Sequence, residues 1–247
     1  MDTRSESRTR EVTIPLDGLV LHGDLTVPPD ARGVVIFAHG TGSSRSSPRN
    51  RAVAATLVEG GFATLLLDLL QPDEERVDAV TRQHRFDIER LATRLAGATL
   101  WVTRQPATRL LPVGYFGAST GAAAALVAAA RLRDVVRAVV SRGGRPDLAG
   151  PALRLVRAPT LLIVGGGDAI VLDLNQDALA HLGGWKTMDV VPGASHLFEE
   201  PGTLDEVARL ARQWFAEHLA HAPVHAPVAS GSARLDAAPV VPRAVAP

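Results

Sequence analysis

The stretch GYFGASTGAAAALVAAAR, residues 114–131, decides the reading of this chain. It runs from a short apolar segment into an alanine-rich one, and Ser119 sits between Gly117 and Gly121 at the join. A serine there is an ordinary helix cap on one reading and an exposed nucleophile on another. GASTG fits G-x-S-x-G, and it has the surroundings that pattern requires, a strand-like run before and a helix-like run after. The turn is sharp enough that bulky neighbours clash with backbone, which accounts for the glycines. The amide of Thr120 opens the following helix, where the dipole favours negative charge.

Working outward, strand-like and helix-like segments alternate. EVTIPL and LVLHGDLTVP read as two opening antiparallel strands. GVVIFAHG, FATLLLDLL, PVGYFGAS, VRAVVSRGG, APTLLIVGGGD and KTMDVVPGASH read as the strands that follow. The continuous apolar runs among them suit strands covered on both faces. SPRNRAVAATLVEGG is expected to be a helix capped by Ser47, with Pro48 in its first turn. A charged segment from Pro72 leads to a second helix over about 86–103, and TLDEVARLARQWFAEHL closes the domain as an amphipathic helix. DLAGPALRLV and LDLNQDALAHL read as shorter helices. The expectation is an α/β fold, a mostly parallel eight-stranded sheet with helices on both faces. Residues 1–10 read as a disordered leader, 11–221 as the domain, and the Pro- and Ala-rich 222–247 as an extended or disordered tail.

In such sheets the chemistry lies beyond the carboxyl ends of the strands. A serine hydroxyl needs a base to take its proton. His196, in the loop after the last strand, is the best placed histidine; His22, His84, His181, His218, His221 and His225 fall in strands, helical surroundings or near the tail. The base needs a carboxylate to orient it. Asp168, ending LLIVGGGD, is the first choice and Asp68, ending TLLLD, the second. GGGDAI lacks the last glycine of a dinucleotide-binding G-x-G-x-x-G. Thr41, after His39–Gly40, is the candidate second oxyanion donor beside Thr120, with His39 shaping the turn.

Composition narrows the alternatives. The 247 residues are 46% hydrophobic and 21% charged, ordinary for a globular protein of this length. The 26 basic and 26 acidic residues cancel, so no charge excess points to nucleic acid or an anionic membrane as partner. The absence of cysteine removes disulfides and thiolate chemistry. No apolar run reaches a membrane span and no signal-peptide pattern opens the chain, so a cytoplasmic location is expected. Neither a metal nor another cofactor is called for.

FAHGTGSS, GASTG, GGGD and GASH together resemble the dienelactone hydrolase-like group of α/β-hydrolases over about residues 11–219. The resemblance implies a Ser119–His196–Asp168 triad without a metal or other cofactor. Dienelactone hydrolases proper use a cysteine nucleophile, and here the position is serine, which favours ordinary ester chemistry on a small-molecule substrate. A thioesterase or acyltransferase would use the same triad, and a non-catalytic binding protein could share the fold. Only residues 142–158 separate two late strands where a large cap would be inserted, so an open pocket is expected. Arg142, with Arg45, is a candidate for binding a carboxylate or phosphate on the substrate. The competing reading pairs the arginines with Asp147, Glu199 and Glu200 to brace loops.

Overall fold

The computed structural model describes residues 7–40 and 42–219. Eight strands form one sheet: β1 (Arg8–Leu16), β2 (Leu19–Val27), β3 (Val34–Ala38), β4 (Ala63–Leu67), β5 (Val113–Ala118), β6 (Val136–Arg142), β7 (Thr160–Gly165) and β8 (Lys186–Val191). Their order is β1-β2-β4-β3-β5-β6-β7-β8. β2 runs antiparallel to both β1 and β4, and every other pairing is parallel. This is the mostly parallel sheet that the alternation of segments predicts, with the eight strands that the α/β-hydrolase resemblance implies. Arg8, Thr9 and Arg10, expected within a leader, pair with β2 instead, and residues 1–6 of that expected leader lie outside the described residues. The tail from 222 lies outside the described residues.

Six helices cover the sheet: α1 (Pro48–Glu59), α2 (Pro72–Thr81), α3 (Ile88–Val102), α4 (Thr120–Arg131), α5 (Ala169–His181) and α6 (Thr203–Leu219). Side chains of the central strands alternate between two cores, as a period of two dictates. Val34, Ile36 and Ala38 of β3 face α3 and α4, while Val35 and Phe37 face α1 and α6. Ser47 caps α1 by accepting from the Asn50 amide, with Pro48 in the first turn.

Thr120 to Ala130 of α4 are all buried, between the sheet and α3. Seven alanines in that stretch let the helix lie close to both neighbours. At the lower end of β5, the Tyr115 hydroxyl and Thr99 Oγ1 meet at 2.6 Å in the core, so neither polar tip is left unsatisfied.

Two segments depart from expectation. The charged stretch after Pro72 is a helix of its own, α2, rather than a lead-in to α3. The stretch read as a short helix, DLAGPALRLV, belongs to a 3-10 segment over Pro146–Leu155, kinked where Gly150 takes φ 51° and Pro151 follows. A proline inside the segment removes a donor and blocks a regular α-helix.

Candidate active site

The turn between β5 and α4 places Ser119 at φ 50° and ψ −125°, a conformation a residue with a side chain holds only when its surroundings impose it. Three backbone bonds do so. The Ser119 amide donates to the Arg142 carbonyl at 3.3 Å, and its carbonyl accepts from the amides of Ala122 at 3.1 Å and Arg145 at 3.0 Å. The flanking glycines are required by contact. A Cβ on Gly121 would lie 2.1 Å from the Ala38 carbonyl oxygen, and one on Gly117 would lie 2.5 Å from Ala122 Cα. Thr120 follows as the first residue of α4, at the positive end of its dipole.

Asp168 and His196 reach the same end of the sheet from the loops after β7 and β8. Backbone bonds lace these loops together: the Gly166 amide donates to Val191 and the Gly167 amide to Ala194, both at 2.9 Å. A Cβ on Gly165 would meet the Ala194 oxygen at 2.4 Å, so the glycine run is what lets the loops touch. The result is a 2.6 Å hydrogen bond between His196 Nδ1 and Asp168 Oδ2. A carboxylate accepts here, so Nδ1 carries a proton, and in the neutral imidazole Nε2 is then the nitrogen with the lone pair. The other edge of the imidazole packs near β6: a Cβ on Gly143 would lie 3.7 Å from His196 Cε1. Gly143 directly follows Arg142, whose carbonyl holds Ser119, so Ser119 and His196 flank the same strand end.

Asp68, the second candidate acid, is engaged elsewhere. It accepts from the Arg45 amide at 2.7 Å and pairs with its guanidinium at 3.6 Å.

The turn after β3 closes the site on a third side. A Cβ on Gly40 would lie 2.7 Å from Ser119 Cβ, so this glycine packs directly on the serine. His39 is buried, accepts from the Leu69 amide through Nε2 at 3.0 Å and lies 3.0 Å from the Gly40 oxygen through Nδ1. Burial lowers its pKa and keeps it neutral, against the smaller opposing effects of the Gly40 carbonyl and Asp68. Its two bonds tie the turn after β3 to the end of β4, consistent with a shaping role. Thr41 lies outside the described residues.

Next to this turn is a pocket of about 260 Å³. Its wall includes Gly40, Leu70, Ala79, Leu91 and Thr120. One side is α2, an element the sequence reading did not separate from its neighbours. No apolar residue of α2 is buried, and Asp78 is the single buried one. Charge holds it instead. Glu74 accepts from Arg94 Nη1 and Nη2 at 2.5 and 2.7 Å, and Asp78 accepts from Arg85 Nε at 2.7 Å. The signal that could have found α2 was Gln71 followed by Pro72 and Glu74, a capping-box spacing with proline in the first turn.

The arginines divide. Arg45, expected as a substrate-binding candidate, is held among Glu11 at 2.8 Å, Asp68 at 3.6 Å and Asp24 at 3.8 Å. Those carboxylates share its charge, while its buried Nη1 has no hydrogen-bond partner among the described residues. Arg145 forms a bidentate pair with Asp147, and Arg49 pairs with Glu199 at 3.4 Å, as the loop-bracing reading has it. Arg142 pairs with none of the three carboxylates that reading named.

Among the described residues no helix is long and apolar enough to cross a membrane, and no group of three or more His, Cys, Asp or Glu is placed to hold a metal ion.

Comparison with known proteins agrees with this fold. The dienelactone hydrolase family model matches residues 21–219. Two Mycobacterium tuberculosis proteins, from strains CDC 1551 and H37Rv and provisionally named phosphoribosyl transferases, are 61% identical over 212 residues. That match covers 86% of this chain and 47% of theirs, so the chain spans about half the length of these relatives. The crystal structure of a dienelactone hydrolase from Anabaena variabilis superposes with a TM-score of 0.84 at 56% identity, covering 86% of this chain and 99% of that one. Est1E from Butyrivibrio proteoclasticus shares the fold, with a TM-score of 0.71 at 17% identity over 84% of this chain and 98% of its own. A family match running almost the length of the sheet, around a histidine–carboxylate pair beside a strained serine turn, makes this chain a member of the dienelactone hydrolase family of hydrolases.

Proposed function

We propose that the protein is a serine hydrolase that cleaves carboxylic esters of small to medium substrates through an acyl-enzyme. The observation that supports this reading is the 2.6 Å bond between His196 Nδ1 and Asp168, which leaves Nε2 as the nitrogen we assign to the base for Ser119. His196 Nε2 takes the Ser119 proton as Oγ attacks the ester carbonyl carbon. The Thr120 amide stabilises the oxyanion, and from the sequence the Thr41 amide is the second donor; one such donor is worth about 3–4 kcal/mol of barrier. The carbon–oxygen bond to the alcohol breaks as His196 returns the proton to the leaving oxygen. Water then attacks the acyl-enzyme with His196 again as base, releasing acid and restoring Ser119.

The pocket of about 260 Å³ beside Gly40 and Thr120 supports a substrate group of modest size. An engineered cavity of about 150 Å³ takes benzene, for scale. The transferase name of the M. tuberculosis relatives describes proteins about twice as long. We assign hydrolysis to the half that this chain matches.

The test is intact mass after treatment with a fluorophosphonate probe. One adduct on the wild type and none on Ser119→Ala is expected. A folded wild type that takes no adduct refutes the reading and leaves the turn as a structural one in a binding protein.

A further inference from the structure

α5 buries Val171, Asn175 and Ala178, the i, i+4, i+7 spacing of a helix packed on a core. The middle position of that stripe is an asparagine with 0% exposure. Asparagine is a weak helix former and its amide is costly to bury, so nothing local to α5 favours it there. A residue that breaks a local rule is expected where it serves a site. The hydrogen bonds of Asn175 say what it does. Its Nδ2 donates to the Val171 carbonyl one turn back at 2.7 Å and to the Gly144 carbonyl at 3.0 Å. Both neighbours can only accept, which fixes the nitrogen as the atom that faces them. Oδ1 has no hydrogen-bond partner among the described residues, so the amide is held from its donor side alone.

Gly144 lies in the short loop that seats Ser119. At one end of this loop the Arg142 carbonyl accepts from the Ser119 amide, and at the other the Arg145 amide donates to the Ser119 carbonyl. These are two of the three bonds that impose φ 50° on the serine. Between them the loop is tied at two points. The Gly143 amide donates to the Ile163 carbonyl of β7 at 2.8 Å, and Asn175 holds the Gly144 carbonyl. The loop sits close to its neighbours here, since a Cβ on Gly144 would lie 2.0 Å from Ser141 Oγ and 2.6 Å from Ala122 Cβ. α5 itself begins at Asp168, whose carbonyl accepts from the Leu172 amide at 2.9 Å. Asp168 and Asn175 therefore ride one helix, about 10 Å apart along its axis at 1.5 Å per residue. Resting on the ester hydrolase reading, we propose that Asn175 is a positioning residue, which through the Gly144 carbonyl locks the 142–145 loop onto Ser119 and so fixes the strained serine against the helix that begins at Asp168. Without it the Gly144 carbonyl can swing, the Arg145 amide draws away from the Ser119 carbonyl, and the serine relaxes from its strained geometry. A reacting group misplaced by about 1 Å loses up to about 10²-fold in rate.

The experiment measures the rate of fluorophosphonate labelling, and kcat and KM for p-nitrophenyl acetate, on the full chain and three variants. Asn175→Leu keeps the volume and removes both bonds. Asn175→Ser keeps a hydroxyl that can bond back to the Val171 carbonyl, as serine does in helices, but is one bond too short for the Gly144 carbonyl. It isolates the bond to the loop and spares the fold if the leucine variant does not fold. Thr108→Val is the control for stability alone, since Thr108 Oγ1 donates to the Val102 carbonyl at 2.7 Å in the segment between α3 and β5. Both Asn175 variants should label about tenfold or more slowly and lose kcat in proportion, with KM within about twofold. Thr108→Val should unfold at lower urea yet label at the wild-type rate. Folded Asn175→Ser that labels and turns over like the wild type overturns the proposal. So does a labelling loss in Thr108→Val that matches its loss of stability, since slower labelling would then report only a weaker fold. Absence of any adduct on the wild type would instead refute the hydrolase reading.

Discussion

Replacing Glu74 by glutamine should release α2, and the effect should depend on pH in a way that can be worked out. Glu74 accepts two bonds from Arg94 and one from the Gln71 amide, and Arg90 stands 3.4 Å away. The Arg94 hydrogen bonds, more than offsetting burial, hold its carboxyl down to about 2 from an ordinary 4.5. The ionised form is thus favoured by folding. The stabilisation is full above the unfolded value, near 4.5, and is lost as pH falls toward 2. At 1.36 kcal/mol per pH unit it amounts to about 3 kcal/mol at pH 7 and about 1.5 kcal/mol at pH 3. Glu74→Gln removes the ionisable group at every pH. Urea unfolding of both proteins at pH 7 and pH 3 should show a gap of about 3 kcal/mol that narrows by about half. Because α2 walls the pocket and buries no apolar residue of its own, the same variant should raise KM for small esters more than it lowers kcat. A gap of equal size at the two pH values would refute the reasoning, since the ion pair would then not be what holds the helix.

Other perturbations read the site directly. Asp168→Asn keeps the loop but inverts the hydrogen-bond preference at His196 Nδ1, and kcat should fall by about 10³–10⁴ with fold and KM nearly intact, measured by steady-state kinetics. Gly121→Ala would put a Cβ 2.1 Å from the Ala38 carbonyl oxygen, so β3 and α4 must separate. A loss of at least about 2 kcal/mol in urea unfolding, with fluorophosphonate labelling slowed, is expected.

The parts of the site that were legible in the sequence are those made by backbone. Gly117 and Gly121 declare a turn too tight for side chains, and Gly165 to Gly167 declare a turn, after a strand, that ends on Asp168. Each of these is a local constraint, and the order Ser119, Asp168, His196 then follows from strands ending at one edge. What stayed hidden depends on partners far apart in the chain. Arg45 meets Glu11 across 34 positions and Asp68 across 23, pairings that no spacing rule announces. The sequence singled out Arg142 but could not say which of Arg49, Arg142 and Arg145 finds a carboxylate. Only the fold shows that Arg145 finds one two residues on, that Arg49 reaches Glu199, and that Arg142 has none among the described residues. The helix α2 escaped notice because its sequence lacks an apolar stripe, its attachment being ionic.

The alanine-lined α4 has a consequence for how this protein can change. Its first residue places an amide beside Ser119, and the face that meets the sheet and α3 is lined by small side chains, while Val127, Ala130 and Arg131 border a cavity on another side. A methyl group added on the packed face must move the helix, and moving the helix moves the amide. Stability and the geometry at Ser119 are therefore coupled along that face. Variation that retunes substrate choice is left to the loops at the strand ends and to the ionically tethered α2, which can be exchanged without disturbing the serine's seat.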